Sequence, residues 1–219
     1  MFDAVIFDWD GTLADTETVV VHSFQKVLKE VGCRVSDEFL EKMIGIGARN
    51  MFKEALKATG VPFDDSMIDG LVEKKTRIQL RLTRRIELFE GAMDLVDALH
   101  GKVKIALATM SNRKVVSKVL TERGIAGYFN VIITADEVRR PKPDPEIFLR
   151  CATGLRCQPR RSVVVEDSVF GVVAAKRANM RCIAVPSGAY SIEELRIEGP
   201  DLIVNSLKEK ERILEFVLA

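Results

Sequence analysis

The sequence predicts an α/β protein: a doubly wound, mostly parallel sheet interrupted near its start by a small all-helical insert. Three observations carry that prediction. Beyond Glu90-Gly91, short apolar runs alternate with amphipathic stretches, as expected of parallel strands joined by helical crossovers. One more such run, Ala4 to Phe7, stands alone at the N-terminus. Between about Asp15 and Arg85 no convincing strand appears, only apolar residues recurring at three- and four-residue steps.

Taken in order, Ala4 to Phe7 reads as a buried strand that runs into Asp8-Trp9-Asp10-Gly11-Thr12-Leu13 and must break at Gly11. The insert predicts four short helices. The first carries Val19, Val20, Phe24, Val27, Leu28 and Val31, with Gly32 as its stop. Phe39, Leu40 and Met43, then Met51, Phe52, Ala55 and Leu56, then Met67, Ile68, Leu71 and Val72 mark the others. Past the insert, a helix from Ala92 to His100 is followed by apolar runs at Val103 to Ala108, Val131 to Ile133, Val163 to Val165, Cys182 to Val185 and Leu202 to Val204. Together with the first run they make a Rossmann-like doubly wound parallel sheet. Residues 1–14 and 86–219 are thus expected to form the α/β core, and residues 15–85 the helical domain.

Composition narrows the function classes. With 219 residues, 47% of them hydrophobic, the chain can bury a sizeable interior. Its 33 basic and 32 acidic residues nearly cancel, so no global field favours nucleic acid or an anionic membrane as partner. Small anions remain open through local sites. Cys33, Cys151, Cys157 and Cys182 lack metal-ligand spacing and read as reduced thiols. No apolar run is long enough to span a bilayer, and the expectation is a soluble, cytoplasmic protein. A chain of this size is expected to be stable as a monomer, and nothing in it excludes a dimer.

Ligands of an open parallel sheet bind beyond the carboxyl ends of its strands, and the residues there form a consistent set. The first strand ends in Asp8 and Asp10; the Lys104 to Ala108 run ends in Thr109, followed by Ser111 and Asn112; the loop after Ile133 leads to Lys142; Val163 to Val165 ends in Glu166 and Asp167. Carboxylates this close repel one another unless a cation sits between them, and oxygen ligands of this kind suit Mg²⁺. Carboxylates to hold a metal and attack phosphorus, with a hydroxyl and an ammonium for phosphate oxygens, make a phosphoryl-transfer inventory. Each piece also has a plain structural reading. Asp-x-Asp-Gly suits a turn, Thr109 can satisfy backbone, Glu166-Asp167-Ser168 can start a helix, and Asn112 reads first as a helix cap. Lys142 lies between Pro141 and Pro143, a stiff setting for an ammonium.

In order, type and strand-end placement these residues resemble the haloacid dehalogenase superfamily. Asp8-Trp9-Asp10-Gly11-Thr12 matches its first motif, Thr109 its second, Lys142 its third and Glu166-Asp167 its fourth. The layout is similar to the phosphoglycolate phosphatase and β-phosphoglucomutase group, with the insert as its helical cap. The resemblance implies a phosphatase acting on a small phosphorylated metabolite through an aspartyl-phosphate. Asp8 would be the nucleophile and Asp10 the general acid and base. Mg²⁺ would be held by Asp8, the Asp10 carbonyl and Asp167, with Glu166 behind them. Thr109 and Lys142 would bind phosphate, with Ser111 and Asn112 beside them. Dehalogenases of the superfamily lack an acid at the place of Asp10, which disfavours carbon–halogen cleavage.

In the cap, the loop Gly45-Ile46-Gly47-Ala48-Arg49 is expected to approach substrate, Gly45 by its small size and Arg49 by its charge, although two glycines can equally just join two helices. The run Lys74, Lys75, Arg77, Arg81, Arg84 and Arg85 reads as a solvated helix face. Two alternatives remain. A sugar phosphomutase shares the nucleophile and metal, but its cap histidine has only a displaced counterpart in His22. A non-catalytic phosphate-binding regulatory module would lack a motif residue, and none is missing.

Overall fold

The chain's computed structural model describes all residues 1–219. β1 (Ala4–Asp8) leads through a tight turn to β2 (Ala14–Asp15), after which four helices follow: α1 (Glu17–Glu30), α2 (Asp37–Glu41), α3 (Ala48–Thr59) and α4 (Asp65–Leu82). β3 (Glu87–Leu88) pairs antiparallel with β2, so the two connections between the helical segment and the sheet run side by side. The rest alternates: α5 (Ala92–Leu99), β4 (Lys104–Ala108), α6 (Arg113–Glu122), β5 (Val131–Ile133), α7 (Glu146–Leu155), β6 (Ser162–Glu166), α8 (Val169–Arg177), β7 (Arg181–Ala184), α9 (Ile192–Ile197), β8 (Leu202–Ile203) and α10 (Lys210–Leu218).

The six-stranded sheet has the order β5-β4-β1-β6-β7-β8, with every pairing parallel. β1 lies between β4 and β6, where the strand order reverses. Alternate side chains feed opposite faces. Val5, Phe7, Ile105, Leu107, Val163 and Val165 pack with α5, α6 and α10 on one face. Ala4, Ile6, Ala106, Ala108, Val164 and Cys182 pack with α7, α8 and α9 on the other. Both faces are covered, which explains why each strand reads as an unbroken apolar run.

The register carries function. Asp8 stands beside Ala108, and Phe7 beside Val165, so the residues just past these three strands emerge together. A slip of one position would turn the strand side chains to opposite faces.

The helical segment has its own core of 14 buried residues, centred on Phe24 and Phe52, whose ring centroids are 4.5 Å apart. Ser36 and Asp64 cap α2 and α4 by accepting from Phe39 N and Met67 N, at 3.1 and 2.7 Å. Two details differ from the sequence reading. α4 is an 18-residue helix rather than a short one, and the short strand β2 reaches Asp15, because β3 lies alongside to pair with it. All four cysteines are free, and no helix is long and apolar enough to cross a membrane. Removing the ring at the centre of the helical core leaves a cavity, so Phe52→Ala is expected to lower stability by about 3–5 kcal/mol, measured as a lower urea midpoint.

Candidate active site

Asp8, Glu166 and Asp167 are buried and each offers a carboxylate oxygen within 4.8 Å of the others. Strand ends place them: Asp8 is the last residue of β1, Glu166 the last of β6, and Asp167 begins the turn into α8. Lys142, 1% exposed, donates to Asp8 Oδ1 at 2.5 Å and to Glu166 Oε1. Burial alone would lower the lysine pKa, but the charges and hydrogen bonds of Asp8 and Glu166 outweigh it and raise it. Lys142 is therefore a permanent cation.

One ammonium does not neutralise the cluster. Burial holds the Asp8 carboxyl well above its ordinary pKa; Lys142 opposes that, and Glu166, Asp167 and Asp10 add to it. Asp167 is raised likewise, by burial and then by Glu166, against the Thr12 hydrogen bond and Lys142. A buried set of hard oxygen donors that repel one another fits a divalent cation such as Mg²⁺.

Glu166 has a different job from its neighbours. Its Oε2 accepts from the backbone N–H of Asp167 and Ser168, both at 3.1 Å, and from Ser168 Oγ at 3.0 Å. With Oε1 on Lys142, both of its oxygens are engaged, and it steadies the ammonium and the start of α8. Asp167 is held by Thr12 Oγ1 at 2.8 Å. Two glycines make room for it: a Cβ on Gly11 would lie 2.2 Å, and one on Gly188 1.9 Å, from Asp167 Oδ2.

The Asp10 carboxylate stands apart from the three-acid cluster. It accepts from Thr16 Oγ1 at 2.8 Å and from Thr109 Oγ1 at 2.9 Å. Thr109 in turn accepts from Ser111 N at 2.9 Å, so the buried hydroxyl links Asp10 to the loop after β4. Asn112 caps α6 by accepting from Lys114 N at 3.0 Å, and its amide donates to Asp136.

The loop Gly45–Arg49 lies between core and cap. Gly45 does approach the core: a Cβ there would lie 3.5 Å from Ser168 Oγ. Arg49 does not join the cluster. It pairs with Asp65 at 3.0 Å and with Asp69, both from α4, and lines an open cleft of about 300 Å³ with Lys53 and Arg139.

Lys75 corrects the reading of its run as a solvated face. Lys74 and Arg77 are solvent-exposed and paired with Glu30 and Glu73, whereas Lys75 is 5% exposed with its ammonium 5.0 Å from the Phe24 ring centroid. No carboxylate pairs with it. Burial lowers its pKa to about 8, opposed by the charge of Asp10. One turn on, the same helix face buries Gln79, whose Oε1 has no hydrogen-bond partner. A signal was present: Ile68, Leu71, Lys75 and Gln79 follow one helical stripe. Thr16 and Gly188 were also missed, because a hydroxyl or a glycine beside a loop carries no pattern of its own, and Thr12 was read within the first motif without its bond to Asp167.

What the fold and the site define together is a capped α/β hydrolase. Its family follows from the sequence: residues 5–185 match the haloacid dehalogenase-like hydrolases, and the chain belongs to that family. A phosphorylated carbohydrates phosphatase of Thermotoga maritima is 29% identical over 215 residues, 94% of this chain and 99% of its own. A fructose-1-phosphate phosphatase of Escherichia coli is 30% identical over 185 residues, 84% of this chain and 96% of its own. Among solved structures, a hydrolase from Pseudomonas syringae superposes with a TM-score of 0.90 at 25% identity, covering 98% of this chain and 99% of that one. β-Phosphoglucomutase from Clostridium difficile reaches 0.88 at 26% identity, covering 100% of both.

An unpaired buried ammonium weakens the fold. The folded pKa of Lys75, about 8, lies below the unfolded value near 10.5, so the unfolded chain binds the extra proton between those values and stability rises with pH through that window. Below pH 8 the penalty is fully present. Lys75→Met is therefore expected to stabilise the protein at pH 7 by on the order of 1–3 kcal/mol and to flatten the rise above pH 8, as read by thermal unfolding across pH.

Proposed function

We propose that the protein is a Mg²⁺-dependent phosphatase that hydrolyses a small phosphorylated metabolite through an aspartyl-phosphate on Asp8. The observation that carries this reading is the buried Asp8–Glu166–Asp167 cluster with Lys142 bonded into it. Such a site repels a phosphate dianion unless further positive charge is present. Bound Mg²⁺, held by Asp8, the Asp10 carbonyl and Asp167, would supply that charge and polarise a phosphate oxygen.

Asp8 carries the nucleophilic step. One of its carboxylate oxygens forms a bond to phosphorus as the bond from phosphorus to the leaving oxygen breaks. Lys142, fixed on Asp8 Oδ1 and Glu166, offsets the charge that builds up between carboxylate and phosphate. Asp10 gives its proton to the leaving oxygen, then takes one from the water that attacks the phosphoenzyme and releases inorganic phosphate. Its two threonine partners suit a switch between these roles. A phosphate that accepts the Thr109 hydroxyl frees Asp10 Oδ2, while Thr16 still holds Oδ1.

The leaving group meets the cap. Lys75, whose ammonium feels the charge of Asp10, and Gln79 would offer it an ammonium and an amide oxygen, both without a carboxylate or donor of their own. A hydroxylated substrate, such as a sugar phosphate, has the donors and acceptors to answer them. The relatives named for phosphorylated carbohydrates and fructose 1-phosphate agree with that class.

Likeness to β-phosphoglucomutase favours a second reading, phosphoryl transfer between sugar positions. Against it, His22 is exposed and lines a groove of about 220 Å³ with Asp15 and Arg85, and the hydroxyl that reaches Asp10 from the start of α1 is that of Thr16. Such a site lacks the histidine that would time Asp10 against water.

Asp8→Asn is expected to keep the fold and to lower phosphate release from p-nitrophenyl phosphate by at least about 10³-fold; appreciable residual turnover would remove Asp8 from the nucleophile role. In the native chain, EDTA is expected to abolish release and added Mg²⁺ to restore it. Absence of metal-dependent release from this compound and from a panel of natural monophosphates would instead favour a regulatory binding module. Sugar phosphate isomerisation without net release would favour the mutase.

A further inference from the structure

The loop after β7 touches both the α/β core and the helical segment. On the core side, Ser187 Oγ donates to Gly11 O at 2.7 Å, tying the loop to the turn that follows β1. Gly188 then lies against Asp167 so closely that a Cβ would come within 1.9 Å of Oδ2. Two residues later the chain reaches the cap. Tyr190 OH donates to the backbone oxygen of Lys42 at 2.5 Å, and the Lys42 ammonium lies 4.5 Å from the Tyr190 ring centroid while pairing with Glu194 at 2.7 Å.

The clasp is built rather than casual. Tyr190 is 8% exposed and meets Phe170 edge-on, with ring centroids 6.4 Å apart. Phe170 packs against the core of the cap as well as against one face of the sheet. Glu194 also closes a capping box with Ser191 at the start of α9, which fixes the acid that receives Lys42. Its carboxyl is held down to about 2, first by the Lys42 hydrogen bond and then by those of Ser191. The crevice where Asp167, Gly188 and Tyr190 face Glu17, Glu41 and Ile44 of the cap is nearly filled, with about 10 Å³ of free space.

We propose that the segment Ser187–Tyr190 couples closure of the cap to the cation-binding geometry of Asp167, with Tyr190 and Lys42 as positioning residues. This rests on the metal reading of the cluster given above. Gly188 bounds the space of the Asp167 carboxylate, and it is joined to the cap clasp through one residue, Ala189. When the cap is clasped, the loop is pinned at both ends and Asp167 has one place to go. When the clasp opens, Gly188 is held only from the Ser187 side and the carboxylate gains freedom. Coupling of this kind is reciprocal: closure raises cation affinity, and cation binding favours closure by the same factor.

Tyr190→Phe removes the hydroxyl bond to Lys42 and keeps the ring, and Lys42→Met removes the ammonium; neither residue touches the cation-binding carboxylates. In the full chain without substrate, calorimetric titration with Mg²⁺ alone is expected to show about 3–10-fold weaker binding for each variant. At saturating Mg²⁺, Tyr190→Phe should raise KM with little change in kcat. Amide exchange in the native chain should slow at residues 42–47 when Mg²⁺ is added, and this response should shrink in Tyr190→Phe. Unchanged Mg²⁺ affinity in both folded variants would overturn the coupling while leaving the metal reading intact. A native chain that binds no Mg²⁺ would overturn the metal reading itself, and the coupling with it.

Discussion

The rest of this structure depends on an imbalance of charge at the end of a parallel sheet. Three carboxylates are buried within ligand distance of one another and a single ammonium, Lys142, is bonded among them. Left alone, such a cluster destabilises the fold, since burial and mutual repulsion both oppose ionisation of Asp8 and Asp167. Local bonding offsets part of this. Glu166 is satisfied by Lys142 and by the first N–H groups of the turn into α8, and Asp167 by Thr12. The remainder is an electrostatic demand that a divalent cation would meet.

The fold exists to make that cluster rigid. Asp8 and Glu166 extend from adjacent central strands whose register is set by apolar residues alternating between two packed faces. Neither acid can move without shifting a strand buried on both sides. Chemistry that needs flexibility is assigned elsewhere. Asp10 lies past the strand, its carboxylate held only by two hydroxyls, which would suit the proton transfers proposed for it.

How much of this could be read from sequence follows from where each residue sits. Asp8, Asp10, Thr109, Glu166 and Asp167 close apolar runs, and a strand end is visible as the point where such a run meets polar residues. Lys142 stood out through its flanking prolines. Asn112 was legible as a helix cap because its role is local. The partners of Arg49 were not legible, because two aspartates on another helix claim it and contacts across the cap leave no trace in local pattern. Lys75 misled for the opposite reason: its neighbours are cations on a solvated face, while it alone occupies the apolar stripe. Tyr190 and Gly188 act through distant partners and offered no local sign.

The cap's buried polar atoms bear on how the site opens and closes. An ammonium without a counter-ion and an amide oxygen without a donor make the cap less stable than its contacts suggest. The Tyr190–Lys42–Glu194 clasp works in the other direction, holding the same cap shut. A ligand that satisfied the ammonium and the amide oxygen would favour the arrangement of the cap that it binds best. Burying Lys75 without a carboxylate partner is thus a cost in stability that the packing of the helical core must offset.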